Sequence, residues 1–284
     1  MPRDATHDLL TQDVFAQIAS LAKSESGLQL GDEKRMMVQS RLKKRLRETN
    51  MESFQSYGAF VQSEAGSAER RMMISALTTN VSHFFREEHH FDVLTRELAE
   101  VFERKIAQRE RIRIWSAGCS KGQEPYSIAM HLLGAFPALK DADFRVLATD
   151  IDPQVLAVAK AAHYAAHDVR SIPEALCRKF MRASDDGSHF EVVSEIRRFI
   201  TFNELNLLQS WPMKHGFDAI FCRNVVIYFD LETQEALWPR FLKALGPDGI
   251  LFLGHSERIA VPEAFGMRTI GQTTYRALAS THRQ

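Results

Sequence analysis

The stretch Ile112-Arg-Ile-Trp-Ser-Ala-Gly-Cys-Ser-Lys-Gly-Gln-Glu-Pro-Tyr-Ser127 decides how the rest of the chain is read. Ile112, Ile114 and Trp115 form a short apolar run that predicts a buried strand. The run gives way to small residues, with Gly118, Ser120 and Gly122 predicting a loop. Pro125 then falls in the first turn of a predicted helix, where its missing N–H costs nothing. Ile128, Ala129, Leu132 and Leu133 continue that helix at the proper spacing. Strand, glycine loop and helix in succession open a nucleotide-binding βαβ unit, in which a ligand approaches bare backbone and a helix N-terminus.

No G-x-G-x-x-G can be placed on the loop, so it is not the dinucleotide fingerprint. It resembles the looser loop of S-adenosylmethionine (SAM) methyltransferases, an acidic residue followed by alternating glycines. Ser116 stands where the acid would be and Ser120 where the middle glycine would be, while Gly118 and Gly122 are retained.

The chain has 284 residues, 45% of them apolar and 25% charged, an ordinary globular balance. Lys+Arg and Asp+Glu number 36 each, so bulk charge points to neither nucleic acid nor membrane, and recognition must come from local asymmetry. No apolar run approaches the roughly 18 residues of a membrane span, and residues 1–8 do not read as a signal peptide. Cys119, Cys177 and Cys222 are odd in number and lack metal-ligand spacing, which predicts reduced thiols in a cytoplasmic protein.

Residues 1–80 predict an all-helical domain. Val14, Phe15, Ile18 and Leu21 recur at helical spacing before Gly27, and Asp32 is placed to cap a second helix carrying Val38, Leu42 and Leu46. Phe54, Tyr57 and Val61 mark a third helix, and Met72, Met73, Ala76 and Leu77 a fourth. Between Lys34 and Arg47 lie seven basic residues and no acid. Lys34, Arg41 and Arg45 fall near one stripe beside the apolar face, with Lys44 adjacent. Such a stripe is either a solvated face or a docking surface for an acidic partner. RNA recognition would call for aromatic residues interleaved with the charges.

Residues 81–106 read as a linker and lead-in helix, and 107–284 as an α/β domain. His83, His89 and His90 match no metal-ligand spacing, so no metal is expected. Phe144, Val146 and Leu147 predict a second strand ending at Asp150, where a Rossmann-like fold binds ribose hydroxyls. Asp152-Pro153 opens the next helix, with Asp152 as N-cap and Asp150 thereby free for a ligand. From about 163 to 199 the rhythm lapses into a small helix-plus-hairpin insertion, with Asp185-Asp186-Gly187 as its turn. A third core strand follows at 198–202, with Asn206 just beyond it. Phe217–Cys222 is a fourth strand emptying into Arg223 and Asn224. Gly246-Pro-Asp-Gly249 is a turn before a fifth strand, Ile250–Leu253, and two short strands around 265–278 close the chain.

These motifs together resemble the bacterial chemotaxis-receptor glutamate methyltransferases, the CheR family. The resemblance is carried by Ala76-Leu-Thr-Thr-Asn-Val-Ser-His-Phe-Phe-Arg-Glu87, Trp115–Ala129, Ala148-Thr-Asp-Ile-Asp152, Phe217–Phe229 and Gly254-His-Ser-Glu257. It implies a Rossmann-like SAM methyltransferase domain with a small β-subdomain, preceded by the all-α domain. It also implies methylation of glutamate side chains on the cytoplasmic helices of chemoreceptors, giving γ-methyl esters and S-adenosylhomocysteine, by a protein expected to act as a monomer. The implied cofactor set is Asn80, Ser82, Arg86, Gly118, Glu124, Asp150, Asn206, Leu207, Arg223 and Asn224, with Ser82 in place of a threonine. Arg86 and Tyr228 match positions near methyl transfer, and the basic stripe of Lys34, Arg41, Lys44 and Arg45 becomes the expected docking surface for receptor. In some members the β-subdomain grips a receptor tail peptide, through a loop richer in glycine than Ala183–Ser188 here.

The implied chemistry is an in-line displacement at a sulfonium methyl. A glutamate carboxylate, with a pKa near 4.3, is already ionised at neutral pH and needs no general base. The work left to the protein is alignment and exclusion of water, for which hydrogen-bond donors such as arginine and tyrosine suit. Arg86 could serve the cofactor's carboxylate or the substrate's. Two alternatives differ in class. A SAM enzyme acting on amino groups would carry an Asn/Asp-Pro-Pro-Tyr turn where this chain has Arg223-Asn-Val-Val226, and a catalytically idle receptor-binding scaffold would bind no cofactor.

Overall fold

The computed structural model describes residues 9–213 and 216–278. The expectation about residues 1–8, and the ends of the two predicted domains, lie outside the described residues. The chain forms two compact units, one of the residues up to Thr79 with Tyr228–Asp230, the other of Asn80–Ile227 and the chain from Leu231 onward.

The first unit consists of α1 (Gln12–Ser26), α2 (Arg35–Glu48), α3 (Phe54–Gln62) and α4 (Ser67–Leu77). Thr11 caps α1, and Gly27 ends it in the left-handed conformation at φ 74°. Asp32 does not cap α2. It lies in a 3-10 turn and its carboxylate accepts from Gln12 Nε2 at 2.8 Å. Phe15, Ile18, Val38, Leu42, Phe54, Val61 and Met73 form the unit's core. Arg41 and Arg45 each precede a core leucine, so they edge the buried face and reach inward. Arg45 donates Nε to Glu69 Oε1 at 2.9 Å, and the Tyr57 hydroxyl donates to the same oxygen at 2.7 Å. Arg41 donates to the carbonyls of Leu77 and Thr78 at 2.7 and 2.9 Å, satisfying the C-terminus of α4. The expected stripe is therefore not one open surface: Arg45 is internal, Arg41 half-buried, and Lys34 donates to the Gln29 carbonyl at 3.2 Å. Only Lys44 of that set projects fully, with its side chain 76% exposed.

The second unit holds α5 (His89–Ala107), β1 (Ile112–Ala117), α6 (Gln123–Ala135), β2 (Phe144–Asp150), α7 (Pro153–Ala161), β3 (His163–Ala165), α8 (Glu174–Phe180), β4 (Met181–Ala183), β5 (His189–Val192), α9 (Ser194–Arg197), β6 (Ile200–Glu204), β7 (Phe217–Cys222), α10 (Leu231–Ala244), β8 (Leu245–Leu253), β9 (Met267–Gly271) and β10 (Thr274–Ala277). Seven strands pair in the order β6-β2-β1-β7-β8-β10-β9. The first five are parallel, and the closing hairpin is antiparallel. Every residue of β7 is buried, as a central strand covered on both faces requires. The chain runs β1, β2, β6 outward in one direction and then returns to the other side of β1. That puts the switch point, where α/β sheets bind ligands, at the carboxyl ends of β1 and β7.

The insertion between α7 and β6 is a separate three-stranded sheet, β3-β5-β4, in which the expected hairpin is β4–β5. Its third strand, β3, is too short and too polar to be recognised from pattern alone. Gly246–Gly249, expected as a turn, is instead an irregular stretch inside β8, where the register against β7 shifts between Phe217 and Ala219. Asp248 carries the kink at φ 61°.

Candidate cofactor site

At the end of β1 the backbone turns under Gly118, whose φ is 84°, and a Cβ there would run into Cγ2 of Val225. The loop and the segment after β7 thus meet at a point only glycine fits. Ser120, standing where a glycine would be expected, does adopt the left-handed conformation, at φ 49°. Its N–H donates to Asp150 Oδ2 at 2.8 Å, and the Asp152 N–H donates to Asp150 Oδ1 at 3.0 Å. Asp152 caps α7 as expected, accepting from Gln154 N–H at 2.8 Å, and its other oxygen accepts from Asn80 Nδ2 at 3.0 Å. Asp150 is therefore not free: each of its oxygens already holds one loop amide, leaving a second lone pair on each for a ligand. Burial pushes its carboxyl up to about 6, with the two amide hydrogen bonds opposing.

Ser116 donates its hydroxyl to Glu124 Oε1 at 2.7 Å. The acid missing from the end of β1 is thus supplied from the first turn of α6. Burial pushes the Glu124 carboxyl up, against the pull of Arg223. The Arg223 side chain is 2% exposed and lies 3.4 Å from Glu124 and 3.6 Å from Glu87. It also donates to the carbonyl of Arg86. Burial would raise the Glu87 carboxyl, but Arg223 and the hydrogen bonds from His255 hold it below the usual range. Arg86 donates to the Val81 carbonyl at 3.2 Å, and its side chain is 28% exposed, accessible to a second reactant. The carboxylates of Glu87 and Glu124 share the buried Arg223, and Glu87 also lies 3.9 Å from Arg86, while Asp150 is held by backbone amides.

Asn206 Oδ1 accepts from Leu208 N–H at 2.9 Å, and the buried Leu207 offers its carbonyl to Trp211 Nε1 at 3.1 Å. Leu205 N–H donates to the Asp150 carbonyl at 2.9 Å, which ties this loop to the end of β2. Ser82 is half-buried. Tyr228 is also half-buried and groups with the helical unit, where its carbonyl accepts from Gln29 N–H at 2.9 Å. Hydrogen bonds and ion pairs link Arg223 to Glu124 and to the Arg86 carbonyl, and link Asn80 through Asp152 to Asp150.

Two residues escaped sequence reasoning as site members, Glu87 and Glu257. The latter accepts backbone N–H groups from Asn224 and Val225, both at 2.8 Å. The structure also gathers Glu87, His89 and His90, whose ligating atoms lie within 4.8 Å of one another among the described residues. Burial first, and then Arg223, lower the His90 ring to about 3, so it is neutral. Within this cluster Glu87 lies 3.6 Å from Arg223 and 3.2 Å from His255.

A parallel sheet with a glycine loop, an acid ending β2 and an acid in the first turn of α6 defines a SAM-dependent methyltransferase. The comparisons carry this to a family. The CheR methyltransferase all-alpha domain matches residues 13–78, and the CheR methyltransferase SAM binding domain matches residues 80–275. A probable chemotaxis protein methyltransferase of Rhizobium etli is 44% identical over 255 residues, covering 89% of this chain and 95% of that protein. The chemotaxis protein methyltransferases of Salmonella typhimurium and Escherichia coli are each 40% identical, covering 92% of this chain and 88% and 89% of theirs. The chain belongs to the CheR methyltransferase family, and its cofactor is SAM.

The residues present fit that cofactor. Asn224 Oδ1 and Gln123 Oε1 are buried acceptors with no partner, and Arg223 Nε a buried donor with none, among the described residues. Orphans of this kind are costly unless a ligand satisfies them. SAM offers an ammonium and ribose hydroxyls to the acceptors and a carboxylate to the donor.

Proposed function

We propose that this chain transfers the methyl group of SAM to the γ-carboxylates of glutamates on the cytoplasmic helices of chemoreceptors, in sensory adaptation. The observation that carries the reading is the identity of about two residues in five, over nearly the whole chain, to chemotaxis protein methyltransferases. The geometry supports the division of roles. Glu124 and Asn224 accept from the cofactor's ammonium, Asp150 from its ribose, and Arg223 donates to its carboxylate, while Asn80, Ser82, Gly118, Asn206 and Leu207 line the rest. When bound, SAM supplies a methyl group activated on sulfonium sulfur. Arg86 and Tyr228 orient the incoming carboxylate, which is ionised at neutral pH and needs no base. Tyr228 is proposed from the resemblance and from its place four residues after Asn224.

In this reading residues 1–80 present the protein to receptor, 81–106 lead in, and 107–284 catalyse, with the 163–199 insertion as an accessory subdomain. The protein acts in the cytoplasm as a monomer. Incubation with methyl-labelled SAM and receptor cytoplasmic fragments tests the assignment. Glutamyl esters release labelled methanol in mild alkali, and Glu→Ala changes in the receptor remove the label. Alkali-stable label would point to methylation of nitrogen instead.

A further inference from the structure

We propose that Glu257 is a positioning residue for the cofactor site, holding the turn Arg223–Ile227 in the conformation that presents Arg223 and Asn224. The proposal rests on the reading of those two residues as cofactor ligands. Glu257 is 2% exposed and lies four residues beyond the end of β8, the strand that neighbours β7. Its Oε2 accepts from Gly254 N–H at 2.6 Å and Asn224 N–H at 2.8 Å. Its Oε1 accepts from Val225 N–H at 2.8 Å and Ile227 N–H at 3.2 Å. One carboxylate therefore satisfies four backbone amides from two separate segments, filling about the four lone-pair sites it possesses.

The segments approach backbone to backbone. A Cβ on Gly254 would come 2.8 Å from Asn224 N and 2.8 Å from Glu257 Oε2. Asn224 itself sits in the left-handed region at φ 60°, a conformation that an asparagine tolerates but needs support to keep. Three of the four amides belong to the turn after β7, past the last ladder contact of that strand at Cys222. Without the carboxylate those amides would be left unsatisfied. With its lone pairs taken by amides, Glu257 has none to offer a ligand, so its action is indirect. Asn224 Oδ1, by contrast, is buried and left without a partner. The backbone of the turn is fixed while its side-chain acceptor is kept for something else.

The test is Glu257→Gln, which keeps the shape but sets an NH2 group against two amide donors. We expect S-adenosylhomocysteine affinity, measured by calorimetry, to fall at least tenfold. Amide hydrogen exchange at residues 224, 225 and 227 should lose its protection while that of β1 and β2 persists. Leu139→Ala, a fully buried change in the 3-10 turn Pro137–Asp141 between α6 and β2, serves as a control for general destabilisation. If Glu257→Gln binds as wild type does, or loses affinity only as far as Leu139→Ala does at equal Tm loss, the positioning role is overturned. Asn224→Ala is measured beside them. Normal affinity there removes the ligand assignment and the proposal with it, whereas weakened binding in Asn224→Ala alone overturns only the role of Glu257. Should Glu257→Gln not fold, Gly254→Ala wedges the same two segments apart with the carboxylate intact, and the same loss is expected.

Discussion

The Asp150 carboxylate is proposed to serve two ends at once, as a ligand for ribose and as a brace that ties the glycine loop, through the Ser120 amide, to the Asp152 amide at the start of α7. Asp150→Ala should therefore weaken SAM binding and also lower stability, by about 1–3 kcal/mol for each amide left unsatisfied. This departs from the expectation that Asp152 alone had a structural job, and a melting curve beside a calorimetric titration checks it. The pH dependence has a definite sign. With its carboxyl raised to about 6, Asp150 gains a proton and loses acceptor strength as pH falls through that value. S-adenosylhomocysteine affinity should fall with it, and Asp150→Asn should bind weakly but without this step. For stability the sign is reversed. The folded chain holds this proton more readily than the unfolded one, so the contribution grows as pH drops from about 6 towards the ordinary aspartate value of about 3.9. At Tyr228 the expectation is kinetic: Tyr228→Phe should lower turnover on receptor fragments far more than cofactor affinity. A phenylalanine variant with wild-type kcat would leave the ring a packing role only.

Among the elements, the glycine loop and α2 carry the sharpest consequences. Gly118→Ala forces a left-handed alanine, costing about 1–2 kcal/mol, and pushes on Val225 as well. Both effects act where the two segments proposed to hold the cofactor meet, so cofactor binding should fail before the fold does. In α2, Arg45→Glu would set a second carboxylate against the buried Glu69, with the Tyr57 hydroxyl bonded to it. The cost should be about 3–5 kcal/mol, read as a loss of Tm. Such a variant would therefore report on folding and say nothing of docking. The residues for a docking test are those that project: Lys44 and Arg47, with the half-buried Lys43.

For the whole molecule the proposed receptor substrate, an acidic helical bundle, poses the question of how a chain with no net charge would find it. Reversing Lys43, Lys44 and Arg47 to glutamate should raise the apparent KM for receptor and flatten its salt dependence, leaving cofactor affinity unchanged. The field of such charges reaches about a Debye length, roughly 8 Å at physiological salt, so the effect belongs mainly to association rate. Single exposed pairs are worth about 0–1 kcal/mol, which is why the test needs all three. Normal methylation by the triple variant at low salt would reduce α2 to a solvated face.

Periodicity and turn chemistry in the sequence already determined β1, β2 and β7, the helix after Asp152-Pro153, and the helical unit, because each is written in residues close along the chain. The ordered motifs from Ala76 to Glu257 likewise determined the family. What only the tertiary structure decided are relations between residues far apart in sequence. Glu69 lies 24 residues from Arg45, and their pairing turns an apparent docking charge into an internal brace. Glu257 is 33 residues from Asn224, and Glu87 lies across the sheet connections from Arg223. The strand β3 and the kink in β8 were hidden for a related reason. A short polar strand and a Gly-Pro-Asp-Gly stretch take their conformation from the neighbour they pair with, and one-dimensional pattern holds no record of neighbours.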